Sequence, residues 1–201
     1  MKRAASCLTV FIMLACFQPL QAQRASYSSG TGAGDAPFYI GFSTGINNEC
    51  GLLGLNLELP VGNAVSLGAG IGEGSWGYKT YGEARYYFDA DKKGWALGAG
   101  LSYSTGATNM PLSLETTNSN SEKVTLTLGS VTNLFFTAYK FYNLGRSGKN
   151  RFYLEMGYAA PLGAAKYTVM SGQTLTQNSE NVLKIISPGG LEFGLGFSFG
   201  L

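Results

Sequence analysis

The chain has 201 residues, no histidine, 13% charged residues, 29 glycines and 12 each of Tyr and Phe. That is about half the charge of an ordinary water-soluble domain, which argues against a soluble globule. Of the 14 Lys and Arg against 12 Asp and Glu, Lys2 and Arg3 lie in the first three residues, so the remainder is neutral and offers no basic footprint for nucleic acid.

Met1-Lys2-Arg3, the apolar run Ala4 to Phe17 and the segment Gln18 to Ala22 form the three parts of a signal peptide, predicted over residues 1–22. Met13-Leu14-Ala15-Cys16 offers a competing lipidation site at Cys16. Residues 23–36 are rich in Gly, Ser and Ala without apolar periodicity and predict a flexible periplasmic leader. No apolar run approaches the length of a membrane-spanning helix, so insertion would have to use strands.

From Phe38 the period is two. The first predicted strand sets Phe38, Ile40, Phe42, Thr44 and Ile46 against Tyr39, Gly41, Ser43 and Gly45. The second sets Leu53, Leu55, Leu57 and Leu59 against Gly54, Asn56 and Glu58, and Pro60 to Asn63 form a tight turn. The third runs Val65 to Gly72, and the fourth runs Tyr78 to Phe88 with Tyr81, Glu83, Arg85 and Tyr87 on one face. After the Asp89 to Gly94 turn, the fifth carries Trp95, Leu97, Ala99, Leu101 and Tyr103 over Ala96, Gly98, Gly100 and Ser102.

A long polar stretch with its turn at Asn118 to Ser121 then leads into a sixth strand ending at Tyr142. The seventh strand carries Phe152, Leu154, Met156 and Tyr158 over Tyr153, Glu155 and Gly157, and Pro161 to Gly190 form a second long loop. The last strand sets Leu191, Phe193, Leu195, Phe197, Phe199 and Leu201 against Glu192, Gly194, Gly196, Ser198 and Gly200.

These strands predict a closed, all-β, antiparallel up-and-down transmembrane barrel of eight strands over residues 37–201, with ten as the alternative if Met110 to Leu128 adds a hairpin. Bulky apolar side chains should face lipid, and the Gly, Ser and charged face should fill a narrow lumen. Both ends then lie on the periplasmic side. Trp95 and Tyr103 are separated by eight steps, a lift of about 20 Å for a strand tilted by roughly 40°, close to the expected apolar band. Phe38, Tyr78, Tyr86, Phe88, Trp95, Tyr103, Phe141, Phe152, Tyr158 and Phe199 are the predicted aromatic girdles.

Glu58, Glu83, Arg85, Lys140, Glu155 and Glu192 are the predicted ionisable residues of the lumen, with Arg85 expected to pair with Glu155, Glu83 or both. Without histidine no Ser or Cys can form a histidine-based nucleophile pair, and a transition-metal site would need carboxylates alone, so neither catalytic nor metal residues are expected, nor any cofactor. Asp89-Ala90-Asp91 reads as a solvated turn rather than a calcium loop. Cys50 reads as an unpaired small residue in the first external link, with intermolecular linkage or modification as the alternative. The external segments Pro111 to Glu115 with Lys123 to Leu128, and Lys166 to Met170 with Asn181 to Ile186, are expected to form two protruding hairpins.

Gly82-Glu83-Ala84-Arg85-Tyr86-Tyr87-Phe88, the segment Trp76-Gly77-Tyr78-Lys79 and the Gly-rich aromatic last strand resemble the small outer-membrane β-barrel proteins of the OmpA/OmpX/opacity-protein type. That resemblance implies outer-membrane lipid as surroundings. It also implies the barrel assembly machinery as a partner, recognising the end of the last strand at Phe197, Phe199 and Leu201. The lipid A palmitoyltransferases and deacylases share this architecture but use a catalytic His, which this chain lacks. The expected function is therefore non-enzymatic support of the envelope or surface interaction, with a narrow, porin-like pore or small-solute transporter as the alternative.

Overall fold

The computed structural model describes residues 36–201 apart from 90, 91, 118, 146–148, 171 and 173, with the backbone alone for 119–122. The predicted signal peptide, Cys16 and nearly all of the predicted leader lie outside the described residues.

Eight antiparallel strands close into a barrel: β1 (Tyr39–Ile46), β2 (Leu53–Pro60), β3 (Val65–Gly74), β4 (Gly77–Tyr87), β5 (Gly94–Ser104), β8 (Val131–Leu144), β9 (Asn150–Pro161) and β11 (Gly190–Gly200). Around the ring they run β1-β11-β9-β8-β5-β4-β3-β2. Closure leaves no free edge in the barrel. Between β5 and β8 the chain makes β6 (Ala107–Thr116) and β7 (Ser119–Leu128). With the short β10 (Tyr167–Val169) these form a separate three-stranded sheet ordered β10-β7-β6. β5 pairs directly with β8 from Gly94↔Phe141 to Ser104↔Val131, so the barrel has eight strands and not ten.

The β2–β3, β4–β5 and β8–β9 turns share one end of the barrel with Phe38 and Leu201, where the Leu201 N–H donates to the Phe38 carbonyl. The other end, the mouth, carries the small sheet and the helix α1 (Gln177–Ile186). Thr176 caps that helix by accepting from the Ser179 N–H. The sequence-based expectation of a second hairpin is thus corrected. Tyr167 to Val169 join β7, while Asn181 to Ile186 belong to α1. The apolar spacing of Leu183 and Ile186 is helical, and a strand would have placed them on opposite faces. No helix among the described residues is long and apolar enough to cross a membrane.

The barrel and the module at its mouth bury opposite faces. In the barrel Leu55, Leu67, Leu97, Phe136 and Phe193 point outward and are exposed, Leu55 by 64%. In the module Leu114, Val124, Leu126, Leu175 and Leu183 turn inward around Trp76 of the β3–β4 turn, and Leu126 is wholly buried. Bonds that fasten the module to the rim include Trp76 Nε1 donating to the Gly129 carbonyl at 2.8 Å and Ser75 Oγ to the Ile186 carbonyl at 2.7 Å.

Register explains how so narrow a barrel is filled. Large inward side chains face glycine across the ladder: Tyr153↔Gly196, Glu155↔Gly194, Arg85↔Gly98, Glu83↔Gly100 and Tyr81↔Gly70. An added Cβ at Gly196 would overlap the Tyr153 ring, and one at Gly194 the Glu155 carboxyl. At these positions the glycine supplies the room that its partner's side chain fills, whereas Tyr39↔Glu58, Tyr139↔Glu155 and Phe141↔Tyr153 pair two large inward residues.

Candidate functional site in the barrel lumen

The lumen is lined by charged and phenolic side chains almost wholly removed from solvent, among them Tyr39, Tyr87, Tyr139, Tyr153, Arg151, Glu49 and Glu192. Toward the chain ends, Glu58 on β2 receives two cations on one carboxyl oxygen. Arg85 Nη1 donates to Glu58 Oε2 at 2.8 Å, and Arg151 Nη2 to the same atom at 2.7 Å. Its other oxygen accepts from the Tyr87 hydroxyl at 2.6 Å. Arg85 Nη2 also donates to Glu83, whose second oxygen accepts from the Tyr139 hydroxyl at 2.9 Å.

Aromatic rings cover the guanidiniums where water cannot. The Arg85 guanidinium lies 4.0 Å from the centre of the Tyr139 ring, and that of Arg151 lies 3.6 Å from the Tyr39 ring. Phe141 sits between them at 5.4 and 4.8 Å. The charges are thereby both paired and covered, as burial in low dielectric requires.

Toward the mouth, the β1–β2 connection folds into the lumen and places Asn48, Glu49 and Cys50 there, all buried. Asn47, with φ +61°, and Gly51, with φ +91°, turn the backbone in and out of this excursion. A Cβ on Gly51 would lie 2.6 Å from the Glu73 carbonyl oxygen, so the return requires glycine. Asn48 Nδ2 donates to Glu155 Oε1 at 2.6 Å, and Lys79 Nζ donates to the carbonyls of Asn47 and Asn48 at 3.0 and 2.6 Å. The Asn47 side chain donates to the Gly189 carbonyl, latching the same loop to the β9–β11 connection. Glu49 lies 3.2 Å from the Tyr139 hydroxyl, which joins the two groups, and Glu192 accepts from Thr137 Oγ1 at 3.1 Å.

Of the residues expected in the lumen, Glu58, Glu83, Arg85, Glu155 and Glu192 are there, and the Arg85–Glu83 pair forms. Arg85 also binds Glu58 and not Glu155, whose Oε1 accepts from the Asn48 side-chain amide. Two expectations on β8 are corrected together. Lys140 points outward, its ammonium 5.1 Å from the Trp95 ring and 6.0 Å from the Tyr142 ring. Phe141 points into the lumen and packs at 5.3 Å against both Tyr87 and Tyr153. The alternation of β8 is one residue out of step with the expectation, since Tyr139 and Phe141 share the inner face.

The other girdle residues lie on the outward parity of their strands or beside their ends. Tyr86, Phe88, Trp95, Phe152 and Phe199, with Phe38, cluster toward the chain ends, whereas Tyr78, Tyr103 and Tyr158 lie toward the mouth. Phe197 packs between Phe42 and Phe152 at 5.3 and 5.1 Å, and Leu201 is exposed.

Sequence reasoning missed Arg151, Lys79 and Glu49. Strand parity could have found the first two, since Arg151 precedes outward Phe152 and Lys79 shares the parity of Tyr81, Glu83 and Arg85. Glu49 lies in a loop, where no period points inward or outward.

Cys50 is buried beside Glu49, and its Sγ donates to the Leu55 carbonyl at 3.6 Å. Burial, reinforced by the Glu49 charge, pushes the thiol up to about 12, so at neutral pH it carries its proton and is a poor nucleophile. Among the described residues no group of three or more Cys, Asp or Glu side chains is placed to hold a metal ion. Toward the chain ends the arrangement is a cross-braced set of paired ions and rings; toward the mouth one carboxyl oxygen each of Glu49, Glu155 and Glu192 is buried without a hydrogen-bond partner among the described residues. No family model matches the chain, and no curated protein matches it in sequence.

Proposed function

We propose that this protein is an integral outer-membrane barrel whose lumen is a structural plug, and that it acts without catalysis by presenting the mouth module to the cell exterior. The observation that carries the reading is the opposition of faces within one chain. Where a water-soluble core is possible, around Trp76, Leu126 and Leu183, apolar side chains are buried; around the barrel the same residue types form a continuous exposed belt. Such a belt is far larger than a soluble monomer tolerates, and aromatic residues stand near both of its ends. Hydrocarbon outside the barrel removes the contradiction, and closure pairs the backbone as hydrocarbon demands.

In this reading both chain ends face the periplasm, and the small sheet and α1 face outward. Outer-membrane lipid surrounds the belt, and by resemblance the barrel assembly machinery receives the strand ending in Phe197, Phe199 and Leu201. The module supports envelope integrity or contact with another surface. The paired ions and the inserted β1–β2 loop favour a closed lumen over a pore.

Planar-bilayer recording of the purified full chain tests the plug. No steady conductance is expected; a stable open level would replace the structural plug with a pore. Mass spectrometry of lipid A from expressing cells tests the absence of catalysis, and a protein-dependent mass change would overturn it.

A further inference from the structure

The outward face of the barrel strands carries just two charged side chains among the described residues, Glu73 toward the mouth and Lys140 toward the chain ends. Lys140 has no carboxylate partner among the described residues, and its ammonium stands over the Trp95 and Tyr142 rings at 5.1 and 6.0 Å. It also borders a groove of about 220 Å³ on the barrel exterior, walled by Trp95, Leu154 and Met156. The groove exists because Ala138, between Leu97 and Met156 in the ladder, is too small to fill the space its neighbours define.

We propose that this groove is a binding site for one phospholipid, with the phosphodiester on the Lys140 ammonium and part of an acyl chain lying over Ala138. The inference rests on the membrane-barrel reading and adds a specific ligand to it. The ammonium has three donors, no acceptor and two ring faces beside it, so the complement that remains to be supplied is an anion. The apolar walls run along the barrel from that cation and suit a chain attached to the anion, which free phosphate lacks. Lys140 is level with Trp95 in the ladder, and Trp marks headgroup depth, so phosphate and ammonium would meet at the same height.

The test is native mass spectrometry of the full chain in detergent micelles with added phosphatidylglycerol, compared with diacylglycerol of the same chains. One phosphatidylglycerol is expected to stay on the barrel and diacylglycerol to be lost. Lys140→Gln should reduce the bound fraction about five-fold, the loss of one surface cation–phosphate contact. Ala138→Phe, which fills the groove and keeps the cation, should reduce it as well. Equal retention in all three proteins, or of both lipids, would overturn the site while leaving the barrel reading intact. A chain that partitions into the aqueous phase instead of the micelle would overturn both.

Discussion

Arg151 and Glu58 meet across the lumen at 2.7 Å, joining β9 and β2, which stand three steps apart on the ring. Backbone ladders join neighbours only, so this bond and the Arg85–Glu58 bond brace the barrel across its section. Removing the shared acceptor leaves two buried guanidiniums short of their partner. Glu58→Leu should cost about 3–5 kcal/mol, read as a lowered urea midpoint for the micelle-bound barrel. Adding Arg151→Leu should cost less than the sum of the two single changes, because the second change removes a charge that the first left bare. Simple additivity would show that the pair does not brace the barrel.

Gly196 makes the space occupied by the Tyr153 ring, whose hydroxyl accepts from Asn56 Nδ2 at 3.0 Å. Gly196→Ala is expected to destabilise by about 1–3 kcal/mol through overpacking, and Tyr153→Ser in the same chain should recover part of that loss. Unfolding midpoints of the single and double variants decide it. An unaltered midpoint in Gly196→Ala would mean that the ring yields freely.

Most of this interior was legible because glycine alternates with large residues along the strands. In β11 the two faces differ so strongly in size that parity alone assigns Glu192, and in β4 charge does the same, since Glu83 and Arg85 share one parity opposite Gly82 and Ala84. Strand β8 offers no such contrast: Phe135 and Phe136 are adjacent, as are Phe141 and Tyr142, so size does not tell inside from outside. Sequence pattern therefore puts Lys140 inside and Phe141 outside, the reverse of their placement on β8. The inward excursion of Asn48, Glu49 and Cys50 left no periodic trace, because its direction is set by Gly51 and by contacts with Lys79 and Glu155 that are distant in sequence. A capping Thr176 before Leu183 and Ile186 was a helix signal that could have been read.

The mouth module should come apart without the barrel. Leu183 on α1 is buried against β6 and β7, whereas Ile185 on the same helix is 78% exposed. Leu183→Asp would bury a carboxylate in an apolar core, and the helix should release, giving rapid proteolysis within 174–189. Ile185→Asp is expected to leave the digestion pattern as it is. Both variants should retain the gel mobility of the folded barrel in unheated samples, since the ladder of β5 with β8 does not pass through the module. Loss of that mobility in Leu183→Asp would make module and barrel one cooperative unit.

The Cys50 thiol reports whether the β1–β2 loop stays inside. Held near 12 by burial and by Glu49, it should resist iodoacetamide at about pH 8 in the folded protein and react readily once the chain is unfolded, where an ordinary thiol is partly ionised. The same shift makes stability depend on pH. Below the ordinary thiol value of about 9 both states keep the proton, so the group has no effect; between there and about 12 only the unfolded chain gives it up, and the folded state loses ground steadily. Cys50→Ser removes the titrating group. Between about pH 8 and pH 11 the wild-type unfolding midpoint should therefore fall further than that of the variant. Equal falls, together with fast alkylation of the folded protein, would mean that the loop leaves the lumen and that the plug is open at the mouth.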